Sequence, residues 1–121
     1  MYKTLGPKDG LPNNGNLLSE KWILTNVTRW EANFYPGILW YLFKFTKDDH
    51  WKNLAIQNTN RFYNDRLLKT THDIGFMMVN TYGKGYDLTK NSSYPNVIIT
   101  AAHSLSTRFN GKYYFINSNF D

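Results

Sequence analysis

Hydrophobic positions fall into four blocks that alternate between two patterns. Ile38, Leu39, Trp40, Tyr41, Leu42, Phe43 and Phe45 leave no polar face, and Ile74, Phe76, Met77, Met78 and Val79 do the same. A helix that is apolar all round belongs inside, covered on both sides. Trp51, Leu54, Ala55, Asn58 and Phe62, and later Ile98, Ala101, Ala102, Leu105 and Phe109, recur at three- and four-residue spacing with Lys, Arg, Asn, Gln and Thr opposite. That spacing predicts helices with one wet face. Asp48 or Asp49 offers an N-cap for the second block and Ser92 or Ser93 for the fourth, where Pro95 falls in the first turn and its missing N–H costs nothing. Residues 1–20 crowd together Gly6, Pro7, Gly10, Pro12, Asn13, Asn14, Gly15 and Asn16 and predict a loop-rich segment, which leaves 21–121 as the helical domain. Tyr113 to Ile116, following Asn110-Gly111, reads as a hairpin strand of local importance.

The blocks also repeat. Phe45-Thr46-Lys47-Asp48-Asp49-His50-Trp51 is echoed 43 residues later by Leu88-Thr89-Lys90-Asn91-Ser92-Ser93-Tyr94, so the unit is a helical hairpin. A period near 40 with two helices per unit marks stacked helical arrays. An inner helix buried all round, paired with an amphipathic outer one, fits a closed ring of hairpins best. The predicted fold class is therefore all-α, a part of an (α/α) toroid. A six-hairpin ring needs on the order of 260 residues, and this chain has 121. In the same register position 30 corresponds to position 73, so Trp30 and Asp73 begin successive inner helices and face one rim.

Asp73 follows Thr71-His72 and precedes Gly75. Its ordinary role at a helix start would be an N-cap, worth about 1 kcal/mol; its other role is chemistry at the rim. The three histidines, His50, His72 and His103, are scattered and have no metal-ligand spacing, so neither a metal nor another cofactor is expected. Aromatic residues are the compositional outlier at 17%, enough to fill a core or to line a cleft that stacks on sugars. Trp30, Phe34, Tyr35, Trp40 and Tyr41 read as core, with Trp30, ahead of its helix, also placed to stack on a sugar ring. The net charge is +5, yet Lys and Arg are spread over all segments, which argues against a nucleic-acid partner. The apolar stretch from Phe34 to Phe43 is half the length of a membrane span, so no membrane partner is expected. Gly83-Lys84-Gly85 follows a helix instead of opening one and does not make a phosphate loop. The absence of cysteine suits a bacterial cytoplasm or periplasm equally.

Two stretches are specific enough to suggest a family. Trp30-Glu31-Ala32-Asn33-Phe34-Tyr35-Pro36-Gly37-Ile38-Leu39-Trp40-Tyr41, followed at its proper distance by Thr71-His72-Asp73-Ile74-Gly75-Phe76-Met77, resembles the unsaturated glucuronyl hydrolases, glycoside hydrolase family 88. The resemblance extends through Tyr82-Gly83-Lys84-Gly85-Tyr86 and the helix from Ala101 to Phe109, covering roughly residues 10 to 121. It implies an (α/α)6 toroid and a substrate made by polysaccharide lyases, an oligosaccharide ending in a uronic acid with a C4=C5 double bond. It implies hydration of that bond, releasing a keto-uronate and a saturated sugar.

By the same resemblance Asp73 is one of two essential acids, Trp30 packs against the unsaturated ring, and His72 lies beside the pocket. Asn33 stands where the family reads glycine and adds a side chain there, and Phe120 stands in for a pocket tryptophan. The family's proton-donor aspartate lies on the next inner helix, beyond residue 121, so this chain alone is expected to be inactive. Two alternatives accompany that expectation: an unsaturated rhamnogalacturonyl hydrolase, which shares fold and chemistry, and a carbohydrate-binding remnant without turnover.

Overall fold

The computed structural model describes residues 10–118. Two helical hairpins form its body. The first inner segment opens with a 3-10 turn, Trp30–Asn33, and continues as α1, Phe34–Thr46; α2, Asp49–Asn60, returns along it. A second 3-10 turn, Asn64–Leu67, leads to the other inner segment, which runs unbroken through α3 (Ile74–Met78), a π-helical stretch (Val79–Gly83) and α4 (Lys84–Thr89). The return helix is α5, Tyr94–Ser106. The two inner segments pack on each other, α1 rests on α2, and α5 on the α3–α4 run. This is the arrangement of neighbouring hairpins in an (α/α)6 toroid.

The turn that closes each hairpin is the same, bond for bond. Lys47 and Lys90 end α1 and α4 in the left-handed region, at φ 59° and 56°. Their amides donate to Phe43 O (2.9 Å) and Tyr86 O (2.8 Å). The Thr46 hydroxyl donates to Leu42 O at 2.8 Å and accepts the Asp48 amide; the Thr89 hydroxyl donates to Gly85 O at 2.7 Å and accepts the Asn91 amide. Asp48 Oδ1 then accepts from His50 N at 2.8 Å, as Asn91 Oδ1 does from Ser93 N at 3.0 Å. Of the two aspartates expected to cap α2, Asp48 does so. In α5 Ser93 holds the cap position without a capping bond, and Asn91, unforeseen in the sequence, is the side-chain acceptor.

The core lies where the hairpins meet. Leu39, Trp40, Ala55, Phe62, Ile74, Met77 and Met78 are buried, and the Trp40 indole N–H donates to Thr59 Oγ1 at 2.9 Å, which lets so large a ring be buried with its polar atom satisfied. Tyr82 packs edge-on against Tyr94 at 5.1 Å. Gly85 is required here: a Cβ would fall 2.5 Å from Tyr94 Cε2 and 2.8 Å from Trp40 Cζ2. The expected two-sided burial of the inner helices holds for Leu39 and Trp40 but not for Ile38, Tyr41 and Phe45, nor for Phe76 and Val79, all of which are exposed. An inner helix needs a neighbour on each flank, and among the described residues each inner segment has the other on one flank.

The N-terminal segment departs from the loop reading. Leu11–Asn16 is strand β1, paired antiparallel with β2, Lys21–Thr25, so the hairpin crosses the expected boundary between residues 20 and 21. The register skips Asn13, between Pro12 and Asn14. A two-stranded ribbon has edges only, so it tolerates the proline and glycine that an interior strand would not. Leu11 is fully buried and anchors the ribbon to the core. Near the other end β3, Phe109–Asn110, pairs with β4, Phe115–Ile116, the local hairpin that the sequence suggested.

Candidate active site

The inner segments begin at one end of the molecule, and their first residues form a continuous surface. Trp30, Phe34 and Phe76 make an aromatic triangle, with ring centroids 6.1 Å (Trp30–Phe34), 6.2 Å (Trp30–Phe76) and 5.3 Å (Phe34–Phe76) apart. Each ring is only about half buried. Trp30 and Phe34, read as core residues with a stacking option for Trp30, thus present open faces of the kind that stack on sugars. Phe76 lies one helical turn beyond Asp73, so the triangle adjoins the acid.

Asp73 occupies the position before α3, but its carboxylate caps nothing. Its Oδ2 accepts from the Thr71 hydroxyl at 3.1 Å, while the same hydroxyl oxygen accepts the Asp73 amide. Its Oδ1 lies 3.3 Å from His72 Nε2, and the other ring nitrogen of His72 lies 3.1 Å from the carbonyl oxygen of Ser118. The capping role, the ordinary one for such an aspartate, is therefore not the one the fold uses. The carboxylate is held from both sides and remains about a quarter exposed.

Asn33 does not face the surface. It is fully buried, its amide nitrogen donates to Trp30 O, and its Oδ1 accepts from Asn80 Nδ2 at 2.7 Å across to the π-helical stretch. With both ends of the amide engaged internally, Asn33 ties the two inner segments together beneath Trp30 instead of lining a pocket. Phe120 lies outside the described residues. Glu31, beside Trp30, has its carboxyl held below the ordinary value by its own backbone amide first and by Arg29, 3.1 Å away, next.

Three contributors went unseen in the sequence. Thr71 could have been found, because a threonine two residues ahead of an aspartate is a known local turn former. Ser118 bonds through its backbone, which no side-chain pattern reveals. Arg108 reads in sequence as a solvated helix-end residue, yet it is 2% exposed. Its Nε donates to Asn117 O at 2.8 Å and its Nη1 to Lys69 O at 2.6 Å.

Two other features are built from different residues. Between the outer helices, a groove of about 460 Å³ is lined by Tyr63, Arg66, Tyr82, Tyr94 and polar residues of α5, and shares none of the residues above. In the connection between the hairpins Asp65 is buried, its Oδ2 has no hydrogen-bond partner among the described residues, and desolvation pushes its carboxyl up to about 6. Among the described residues no three His, Cys, Asp or Glu side chains gather as a metal site would require, and no helix is long and apolar enough to cross a membrane.

No family model matches the chain. An unsaturated glucuronyl hydrolase of Formosa agariphila is 34% identical over 82 residues, which are 67% of this chain and 20% of that protein. An unsaturated chondroitin disaccharide hydrolase of Streptococcus agalactiae is 29% identical over 94 residues, 75% of this chain and 24% of the relative. Among solved structures, an unsaturated glucuronyl hydrolase specific for heparin superposes with a TM-score of 0.84 at 29% identity, covering 93% of this chain and 30% of that one. The chain thus spans a quarter or less of the length of these curated relatives. Sequence and structural likeness converge on one family, the unsaturated glucuronyl hydrolases, of whose (α/α)6 toroid this chain matches one sector.

Proposed function

We propose that this chain forms the Trp30–Asp73 part of the active site of an unsaturated glucuronyl hydrolase. The substrate is an oligosaccharide ending in a uronic acid with a C4=C5 double bond. The observation that carries the reading is a carboxylate at the mouth of an inner helix, beside three half-exposed aromatic rings, that performs no capping work.

The rings offer an apolar platform for one face of the unsaturated sugar, with Trp30 foremost. The Asp73 carboxylate accepts hydrogen bonds from the sugar hydroxyls and so fixes the ring over the reacting carbons, where positioning contributes several kcal/mol. Hydration of the vinyl ether places a proton on C4 and a hydroxyl on C5, giving a hemiketal. The ring oxygen then leaves C5 as the ketone forms, and the hemiacetal left at C1 expels the saturated sugar. The proton comes from a second carboxylic acid, which the family resemblance places on the next inner helix.

The test is the loss of ultraviolet absorbance from an unsaturated glucuronyl disaccharide on treatment with the intact protein that carries this sector. Turnover is expected, together with a fall of about a hundredfold or more in kcat for Asp73→Asn. No loss of absorbance at any enzyme concentration, or full activity in the variant, overturns the proposal. Activity confined to unsaturated rhamnogalacturonyl substrates would move the assignment to that related class.

A further inference from the structure

Resting on the functional reading of Asp73 above, we infer that His72 is a positioning residue for Asp73, held in place by the Ser118 carbonyl through a brace built on Arg108.

The carbonyl oxygen of Ser118 has lone pairs and no hydrogen, so the 3.1 Å contact requires the hydrogen on His72 Nδ1. With the ring so turned, Nε2 faces Asp73 Oδ1 at 3.3 Å, and since a carboxylate oxygen also only accepts, this contact is a hydrogen bond when Nε2 carries hydrogen as well. Thr71 donates to the other carboxylate oxygen at 3.1 Å. With one neighbour on each oxygen, the plane of the carboxylate is fixed, and its remaining lone pairs are directed to the open side. A second ring nitrogen bound to a backbone carbonyl is the common device by which a histidine is oriented for its partner.

Ser118 is far from His72 in sequence, and Arg108 is what brings the two together. From the end of α5, its guanidinium donates to Lys69 O, three residues before His72, and to Asn117 O, one residue before Ser118. Asn117 N donates back to Arg108 O at 3.0 Å. The loop that enters α3 and the segment that leaves β4 are thus fastened to one buried side chain. His72, expected beside the pocket, has an indirect role there: both of its nitrogens face the protein.

Long-range proton–nitrogen correlation spectra of the 121-residue chain, labelled with 15N in histidine, read the state of the ring. His72 is expected to carry hydrogen on both ring nitrogens, one for each acceptor it faces. In Arg108→Lys that signature is expected to disappear while the buried Trp40 indole N–H keeps its shift. In Asp73→Asn, Nδ1 is expected to stay protonated while the Nε2 shift moves. A ring nitrogen without hydrogen in the unmodified chain overturns the inference, and so does an unmoved Nε2 in Asp73→Asn, a result that stands even if Arg108→Lys does not fold. These readouts need no turnover, so they fail or hold independently of the proposed reaction. In the intact hydrolase His72→Gln is expected to lower kcat about tenfold at constant KM; a raised KM at constant kcat would make His72 a substrate contact and overturn the positioning role.

Discussion

The two ends of the hairpins tell different stories. At the closing turns, Thr46 to Trp51 and Thr89 to Tyr94, two copies keep the same left-handed lysine, the same threonine hydroxyl bonds and the same Asx cap, while Asp48 in one is Asn91 in the other. At the opening ends the register pairs Trp30 with Asp73, an indole with a carboxylate, and the surroundings diverge as completely. What repeats is what the fold needs from every unit. Asp48 and Asn91 do the same job because a cap needs an acceptor oxygen, with or without charge. What differs is freed from that demand, and the proposed site lies there.

Forcing the hairpins apart should have the largest effect. Gly85→Ala puts a methyl against Tyr94 and Trp40, and unfolding in denaturant should show a loss of about 3 kcal/mol or no cooperative fold; a loss under 0.5 kcal/mol would mean the inner segments can slide freely.

Next comes Asp65, in the link between the hairpins. Its folded carboxyl keeps its proton up to about pH 6, whereas the ordinary value is 3.8, so between those values the folded state binds more protons than the unfolded one. Stability falls as pH rises through that window and stays reduced above it. Asp65→Asn should therefore raise stability by about 2 kcal/mol at neutral pH and flatten the decline, as thermal melts at pH 4 and pH 7.5 would reveal.

Asp48→Ala and Asn91→Ala should each cost about 1 kcal/mol, and the comparison sharpens if the two losses agree. Lys47→Gly and Lys90→Gly should each gain about 0.5 kcal/mol by relieving the left-handed backbone, equally at both turns. Asp73→Asn should change stability least, within about 0.5 kcal/mol, because its carboxylate caps no helix; a loss as large as that of Asp48→Ala would return it to structural duty.

These contrasts also explain what was legible. The helices, their inner and outer roles, the 43-residue period and the placing of Trp30 and Asp73 at one rim all follow from side-chain pattern, because periodicity records which face is covered. The β1–β2 ribbon was hidden because its proline, glycine and asparagines are also what a loop contains, and only pairing separates the two. Asn33 looked like a pocket residue on family likeness, but a buried amide satisfied across two helices leaves no trace in a linear pattern. Arg108 was hidden for the same reason: a charged residue at a helix end normally reaches water, whereas its partners here include carbonyls 9 and 39 residues away. Of the candidate site, sequence singled out Asp73 and Trp30, and structure supplied what surrounds them.

The self-contained turns carry a consequence for how the chain acquires its shape. Every bond in them joins residues at most four apart, so each can form on the microsecond scale of local structure without waiting for the rest. Arg108 and His72, by contrast, depend on contacts spanning about 40 residues, which loop-closure entropy delays. The hairpins should nucleate separately at their turns, in the order they leave the ribosome, and the acid end should be the last part to become ordered.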